Sequence, residues 1–274
     1  MKLAPALAYW DYIEHATPQA GLANNLLSGE LSDLQDMRLS RGVTGTLQAK
    51  WDWGEDRRVD VISLLMVDNA GFASTEVFIS LLDEAENEII VAGAGGLGDV
   101  FAYPDRTFPR HLHFLLPEPV FARTLETYVL TVDPAELSIG RVWAGPSWAP
   151  PSGIEADWDP VIVDPGEMSL SPGAQGYPRR RQKHRQWSGR ISHVPRAWAI
   201  GMPDNSVLDI QQLGFHLGQT EPCILFPRTR LAGAGLDVNA IHRLGCYGHF
   251  IEPIWPKHDR GDHYTADIRF AELL

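Results

Sequence analysis

The sequence predicts an all-β protein built from two β-sandwich or jelly-roll-type domains with at most one or two short helices, and three observations predict it. In Leu47–Gly54, Leu47, Ala49, Trp51 and Trp53 point one way while Gln48, Lys50 and Asp52 point the other, the period-2 pattern of a half-buried strand. Residues 59–67 form an almost unbroken apolar run, as expected of a strand covered on both faces. The chain carries 25 glycines and 20 prolines in 274 residues, with only 21% charged residues, which suits short strands joined by tight turns.

Taken in order, the chain opens with a lead-in strand from Ala6 to Tyr12 and a polar loop with one helical turn near Leu31–Met37. Strands follow near 46–53, 59–67, 74–82, 87–92, 111–116, 124–132 and 137–144. The stretch Gly145–Gly153 cannot continue a central strand, because its prolines lack ladder donors, and it divides domain 1–150 from domain 151–274. The second domain begins with strands near 159–163 and 166–171, then a basic stretch and strand over 178–194. Ser206–Leu217 reads as a helix: Ser206 with Asp209 resembles a capping box, Val207, Ile210, Leu213 and Leu217 keep helical spacing, and Gly218 stops it. A closing strand over 264–270 sets Tyr264, Ala266, Ile268 and Phe270 against Thr265, Asp267 and Arg269.

A net charge of −12 disfavours non-specific binding to nucleic acid or to anionic membranes, which need a positive face. Cys223 and Cys246 are too few for a disulfide framework and fit folding in a reducing cytoplasm. Met1–Ala8 resembles the start of a signal peptide, but Trp10 and Asp11 end the apolar run, so the chain is expected to be soluble and unprocessed.

Several groupings invite chemistry. Gly93, Gly95 and Gly98 have dinucleotide-fingerprint spacing, but that loop works only at a helix N-terminus, and Pro104 and Pro109 prevent a long helix there; no cofactor is expected. His242, Cys246 and His249, with Cys223, His258 and His263 elsewhere, are zinc-type ligands without a four-ligand pattern, so no metal is assigned, although a trimer could complete a site across subunits. His111 and His113 share a face if they lie on a strand.

From Met168 to Pro203 there is no acidic residue, and Arg179, Arg180, Arg181, Lys183 and Arg185 form a basic run that reads as a surface for an acidic protein partner. Glu155, Asp157 and Asp159, like Glu84 and Glu86, sit in apparent turns, and Ser147 lacks the strand–turn–helix setting of a nucleophile, so no catalytic residue is assigned. Trp51, Trp53 and Trp143 fall on strand patterns and belong to the core. Trp148, Trp158 and Trp255 fall in Pro-rich loops, where they pack or stack on a sugar.

The same strands carry a resemblance. Trp51–Gly54, Asp60–Leu65, Tyr128–Val132 and Ile139–Pro146 resemble the discoidin-like jelly-roll module at the front of certain tailed-bacteriophage tail and baseplate proteins of the distal-tail type. Leu170–Tyr177, Pro222–Pro227, Leu244–Gly248 and Ala266–Leu273 resemble the β-rich tail-assembly domain that follows it. The resemblance implies a non-enzymatic structural component of a tail tip or baseplate, made in the host cytoplasm and residing in the virion tail. It would form a ring, trimer or hexamer and link the tail tube to hub and fibre proteins, with the basic run meeting acidic residues of a neighbouring subunit. The alternative is carbohydrate recognition, because the discoidin-like module also resembles galactose-binding domains that use loops at one end of the sandwich. A glycan-cleaving enzyme ranks third, for want of a placed carboxylate pair.

Overall fold

The computed structural model describes residues 6–20, 30–35, 43–44, 47–65, 76–92, 111–130, 138–150, 153–155, 158–170, 176–179, 181–201, 208–230 and 235–273. The strands run β1 (Ala6–Ala8), β2 (Thr17–Ala20), β3 (Val43–Thr44), β4 (Leu47–Leu65), β5 (Glu76–Leu82), β6 (Glu88–Ala92), β7 (Leu112–Leu130), β8 (Ser138–Ile139) and β9 (Arg141–Gly145). They continue with β10 (Ser147–Trp148), β11 (Asp159–Val163), β12 (Glu167–Leu170), β13 (Gly176–Arg179), β14 (His184–Pro195), β15 (Cys223–Phe226), β16 (Cys246–Phe250), β17 (Pro256–Arg260) and β18 (His263–Glu272). The helices are α1 (Arg196–Ile200), α2 (Ile210–Leu217) and α3 (Val238–Leu244), with 3₁₀ turns at Ile13–His15 and Leu31–Gln35. The protein is all-β, with two sandwich-like sheets and a few short helices. No helix among the described residues is long and apolar enough to cross a membrane.

The backbone packs as two units, one of Leu7–Trp148 with Arg228–Gly245 and the other of Met1–Ala6, Ala149–Pro227 and Cys246–Leu274. In the first, here the N-terminal unit, the sheet order is β2-β4-β7-β5-β6, with β9 also pairing β4. The alternation read in Leu47–Gly54 places Leu47, Ala49, Trp51 and Trp53 in the core, together with Val59, Ile62, Leu64, Leu125, Val129 and Val142. Two pairs of expected strands prove to be single ones. β4 runs through the polar segment between Gly54 and Arg58, and β7 runs through Pro117 and Pro119. Register shifts between Asp52/Arg57 and Val59/Val61 absorb these residues as bulges, where Gly54 takes a positive φ of 94° and the prolines lose no ladder bond.

The buried Arg141–Asp11 pair fastens the segment after β1 to β9. Asp11 accepts Arg141 Nε at 3.1 Å and Nη2 at 2.7 Å, and also the amides of Ile13 at 3.0 Å and Ala144 at 3.2 Å. The expected lead-in strand therefore stops at Ala8, because the Asp11 turn redirects the chain into the 3₁₀ turn.

In the C-terminal unit the sheet order is β15-β16-β18-β14-β11, with β17 following β16 along one edge of β18. Ile191, Val194, Ile224, Phe226, Tyr247, Phe250, Ile268 and Phe270 fill its interior. Helix α2 begins at Ile210, with Asp209 as its N-cap accepting the Gln212 amide at 2.8 Å, and Ile210, Leu213 and Leu217 are buried as their spacing required. The earlier start at Ser206 lies outside the described residues.

Removing the Asp11 carboxylate leaves the Arg141 charge buried without its main partner. Asp11→Ala is expected to lower the unfolding free energy by roughly 3–5 kcal/mol. The double variant Asp11→Leu/Arg141→Met should recover most of that loss, since apolar groups of similar volume often replace a buried pair at little cost. Urea denaturation of both variants measures it; equal losses would show that the site's shape, not its charge, matters.

Candidate functional site

An exposed aromatic corner stands on the C-terminal unit. Helix α2 presents Ile210, Leu213, Gly214 and Leu217 to the interior, which turns Phe215 outward at 74% exposure. A Cβ on Gly214 would collide with the Ile254 carbonyl oxygen, so the helix lies directly on the backbone of the loop before β17. Ile254 is fully buried and anchors that loop, while Trp255 faces out at 43% exposure. The two rings meet edge-to-face, with centroids 5.4 Å apart and planes at 82°. That geometry is favourable for an aromatic pair and leaves a right-angled apolar surface open to solvent.

Charged pairs stand on the exposed positions of β18, between its buried alternate residues. Arg269 donates to Glu252, on the Trp255 loop, at 2.9 Å. Asp267 accepts Lys257 Nζ at 2.7 Å and Arg190 Nε at 2.9 Å. The hydrogen bonds from Lys257 and Arg190 hold the Asp267 carboxyl below the usual carboxylate range. Such paired groups present fixed donors and acceptors to hydroxyl-bearing ligands. A carboxylate held ionised in this way is a poor proton donor near neutral pH.

Of the tryptophans expected to stack on sugar, only Trp255 stands in such a corner. Trp148 is 4% exposed in β10 and offers no open ring face. Trp158 is half-buried and stacks on Trp187, with centroids 4.8 Å apart and planes at 21°. Phe215 was not singled out from the sequence. Its signal was its place off the Ile210–Leu213–Leu217 stripe, on the far side of the helix.

The basic run is not one surface. Arg179 is exposed at the end of β13, and Arg180 lies outside the described residues. Arg181 pairs with Glu167 at 3.6 Å and Lys183 with Asp164 at 3.1 Å, both exposed. Arg185 is 7% exposed: its Nε donates to Glu272 Oε1 and its amide to Oε2, each at 2.9 Å. The register Gln186↔Ala271 turns Arg185 and Trp187 inward, apart from the exposed Arg181 and Lys183.

The dinucleotide-like glycines 93–98 lie outside the described residues. Cys246 and Cys223 are free, buried thiols pushed well above their usual range by burial, which opposes the thiolate form that binds zinc. His249 is lowered by burial and by its neighbour His184. Among the described residues, no group of three or more His, Cys, Asp or Glu side chains is arranged to hold a metal ion.

No protein-family model matches the chain, and no curated protein matches it. Part of the strand arrangement resembles solved structures. A module produced by Clostridium perfringens, CpGH89CBM32-4 in complex with GlcNAc-α-1,4-galactose, is 16% identical with a TM-score of 0.37, covering 50% of this chain and 93% of that one. Chitosan-binding module 1 from a Paenibacillus chitosanase/glucanase is 13% identical with a TM-score of 0.35, covering 50% of this chain and 99% of that one. A C. perfringens module, CBM32-1 from a family 31 glycoside hydrolase, is 13% identical with a TM-score of 0.37, covering 50% and 99%. At these scores the likenesses transfer no ligand and no activity. Neither sequence comparison returns a bacteriophage tail-tip or baseplate protein, and the expectation of such a component is withdrawn.

The buried and exposed arginines should separate in stability. Arg185→Ala is expected to cost roughly 3–5 kcal/mol, since it strands the Glu272 carboxylate in the interior. Arg181→Ala and Lys183→Ala should stay within about 0.5 kcal/mol of the parent. Equilibrium unfolding of the three variants decides it; equal effects would refute the inward placement of Arg185.

Proposed function

We propose that the chain is a carbohydrate-recognition protein that binds without cleaving. The observation that carries this reading is the solvent-exposed Trp255–Phe215 corner beside the Glu252–Arg269 pair. One face of a pyranose ring is lined by C–H groups, apolar and slightly positive, and it packs on the negative face of an aromatic ring. The hydroxyls at the rim of the same sugar need fixed donors and acceptors, which a guanidinium–carboxylate pair supplies. A wholly apolar partner would desolvate that pair without offering it hydrogen bonds.

Cleavage of a glycosidic bond needs one carboxyl raised enough to donate a proton and a second facing it across the bond. Asp267 has the opposite character, held below the usual carboxylate range by the hydrogen bonds from Lys257 and Arg190, and Glu252 is paired with Arg269. The reading is therefore of a binding surface.

Screening against an array of neutral and acidic oligosaccharides, followed by calorimetric titration of the best ligand, tests it. The parent should bind saturably. Trp255→Ala is expected to weaken binding about tenfold or more, or about 1.4 kcal/mol, as stacked aromatic anchors do. Trp158→Ala should leave affinity near the parent value. Absence of binding across the array, or undiminished affinity in Trp255→Ala, would sink the reading.

A further inference from the structure

The N-terminal unit holds a group of three histidines that plays no part in the carbohydrate reading. His111, just before β7, and His113, near its start, are both buried, with ring centroids 5.6 Å apart. His242 projects from the last turn of α3, its ring centroid 6.1 Å from that of His113. The His113 Nδ1 lies 2.8 Å from Ser63 Oγ on β4. Gly245, just past α3, abuts the His113 ring closely: an added Cβ would sit 2.8 Å from Cδ2 and 2.9 Å from Nε2.

Two of the bonds of His242 define its protonation state. Its Nδ1 lies 2.8 Å from the Val238 carbonyl oxygen, which can only accept, so Nδ1 carries the proton. Its Nε2 accepts the His113 backbone N–H at 3.2 Å, so Nε2 must be bare. Only the neutral Nδ1–H tautomer makes both bonds. A proton on Nε2 would face the His113 N–H donor head-on and break the bond that joins α3 to β7.

We propose that His242 is a pH-operated latch: neutral, it fastens α3 to β7, and protonation at Nε2 releases α3 from that strand. The titratable groups on its β7 side are His113, with its ring centroid 6.1 Å away, and beyond it His111, 5.6 Å from His113. On α3 itself, Arg243 is exposed and cationic. The Asp237 carboxylate is committed at the far end of the helix, accepting the Ala240 amide at 3.0 Å and pairing with Arg228 at 2.9 Å.

The direction with pH follows from burial, which lowers the His242 pKa below its ordinary value of 6.5. A folded-state pKa below the unfolded one means the neutral form is the one folding favours. The latch contributes fully above about pH 6.5, and its contribution is lost as pH falls through the lowered folded value.

Hydrogen exchange over residues 111–114 and 238–245, corrected for the intrinsic pH dependence of exchange, reads the latch directly. Between pH 6.5 and 5.5 the opening constant of the His113 amide and of α3 should rise by up to about tenfold for each proton taken up. In His242→Gln, whose side-chain oxygen can still accept the His113 N–H but gains no proton, that dependence should fall by one proton. A parent with no pH dependence, or a variant with the parent's full slope, overturns the proposal. Should the variant fail to fold, nitrogen NMR of the parent ring decides: a neutral Nδ1–H tautomer at pH 7.5 that gains a proton as α3 opens supports the latch, and an Nε2–H tautomer or an imidazolium at that pH overturns it.

Discussion

Arg185 enters the interior of the C-terminal unit only because Glu272 meets it there. A guanidinium taken out of water must find its charge and hydrogen bonds returned, and Glu272 does this from β18 with one oxygen on the Arg185 Nε and the other on its amide. The pair ties β14 to β18 at one register. That register settles the pairing from Gln186↔Ala271 to Ile191↔Ala266, since a slip of one residue would exchange inner and outer faces. With it in place, Ala266, Ile268 and Phe270 face the core, while Asp267 and Arg269 face out to meet Arg190, Lys257 and Glu252. In the N-terminal unit Asp11 and Arg141 play the corresponding part between β9 and the segment that follows β1.

The aromatic corner is a further consequence of close backbone packing. Gly214 lets α2 lie on the Ile254 carbonyl, and any side chain there would push the helix off the loop and part Phe215 from Trp255. Two large rings held in solvent carry an unfavourable hydration free energy that isolated surface residues would share, but here they are contiguous, and Glu252 of the same loop is paired with Arg269. Contiguous apolar surface bordered by polar groups is the usual mark of a recognition site. The lowered carboxyl of Asp267 fits recognition of hydroxyls better than proton transfer.

The bacteriophage resemblance rested on short apolar strings such as Asp60–Leu65 and Ile139–Pro146. These are the buried strands β4 and β9, and their composition is dictated by burial on both faces. Any sandwich strand under that constraint draws on the same few β-branched, aliphatic and aromatic residues, so such strings report a fold class and not an occupation. The correction on function thus leaves the architecture untouched.

By itself the sequence determined the fold class, most strand positions and the identity of the core tryptophans, because alternation with period 2 is a local property of the chain. It also placed α2, whose apolar stripe and Gly218 stop are local too, though the cap proved to be Asp209. Only the tertiary structure decided that 47–65 and 112–130 are continuous strands, since a bulge is defined by what lies opposite. Packing likewise buried Trp148, turned Arg185 inward, and set Phe215 beside Trp255 across 40 residues of chain. Charge and aromaticity are written in a sequence, but exposure and partnership depend on residues distant along it, and those are what make a site.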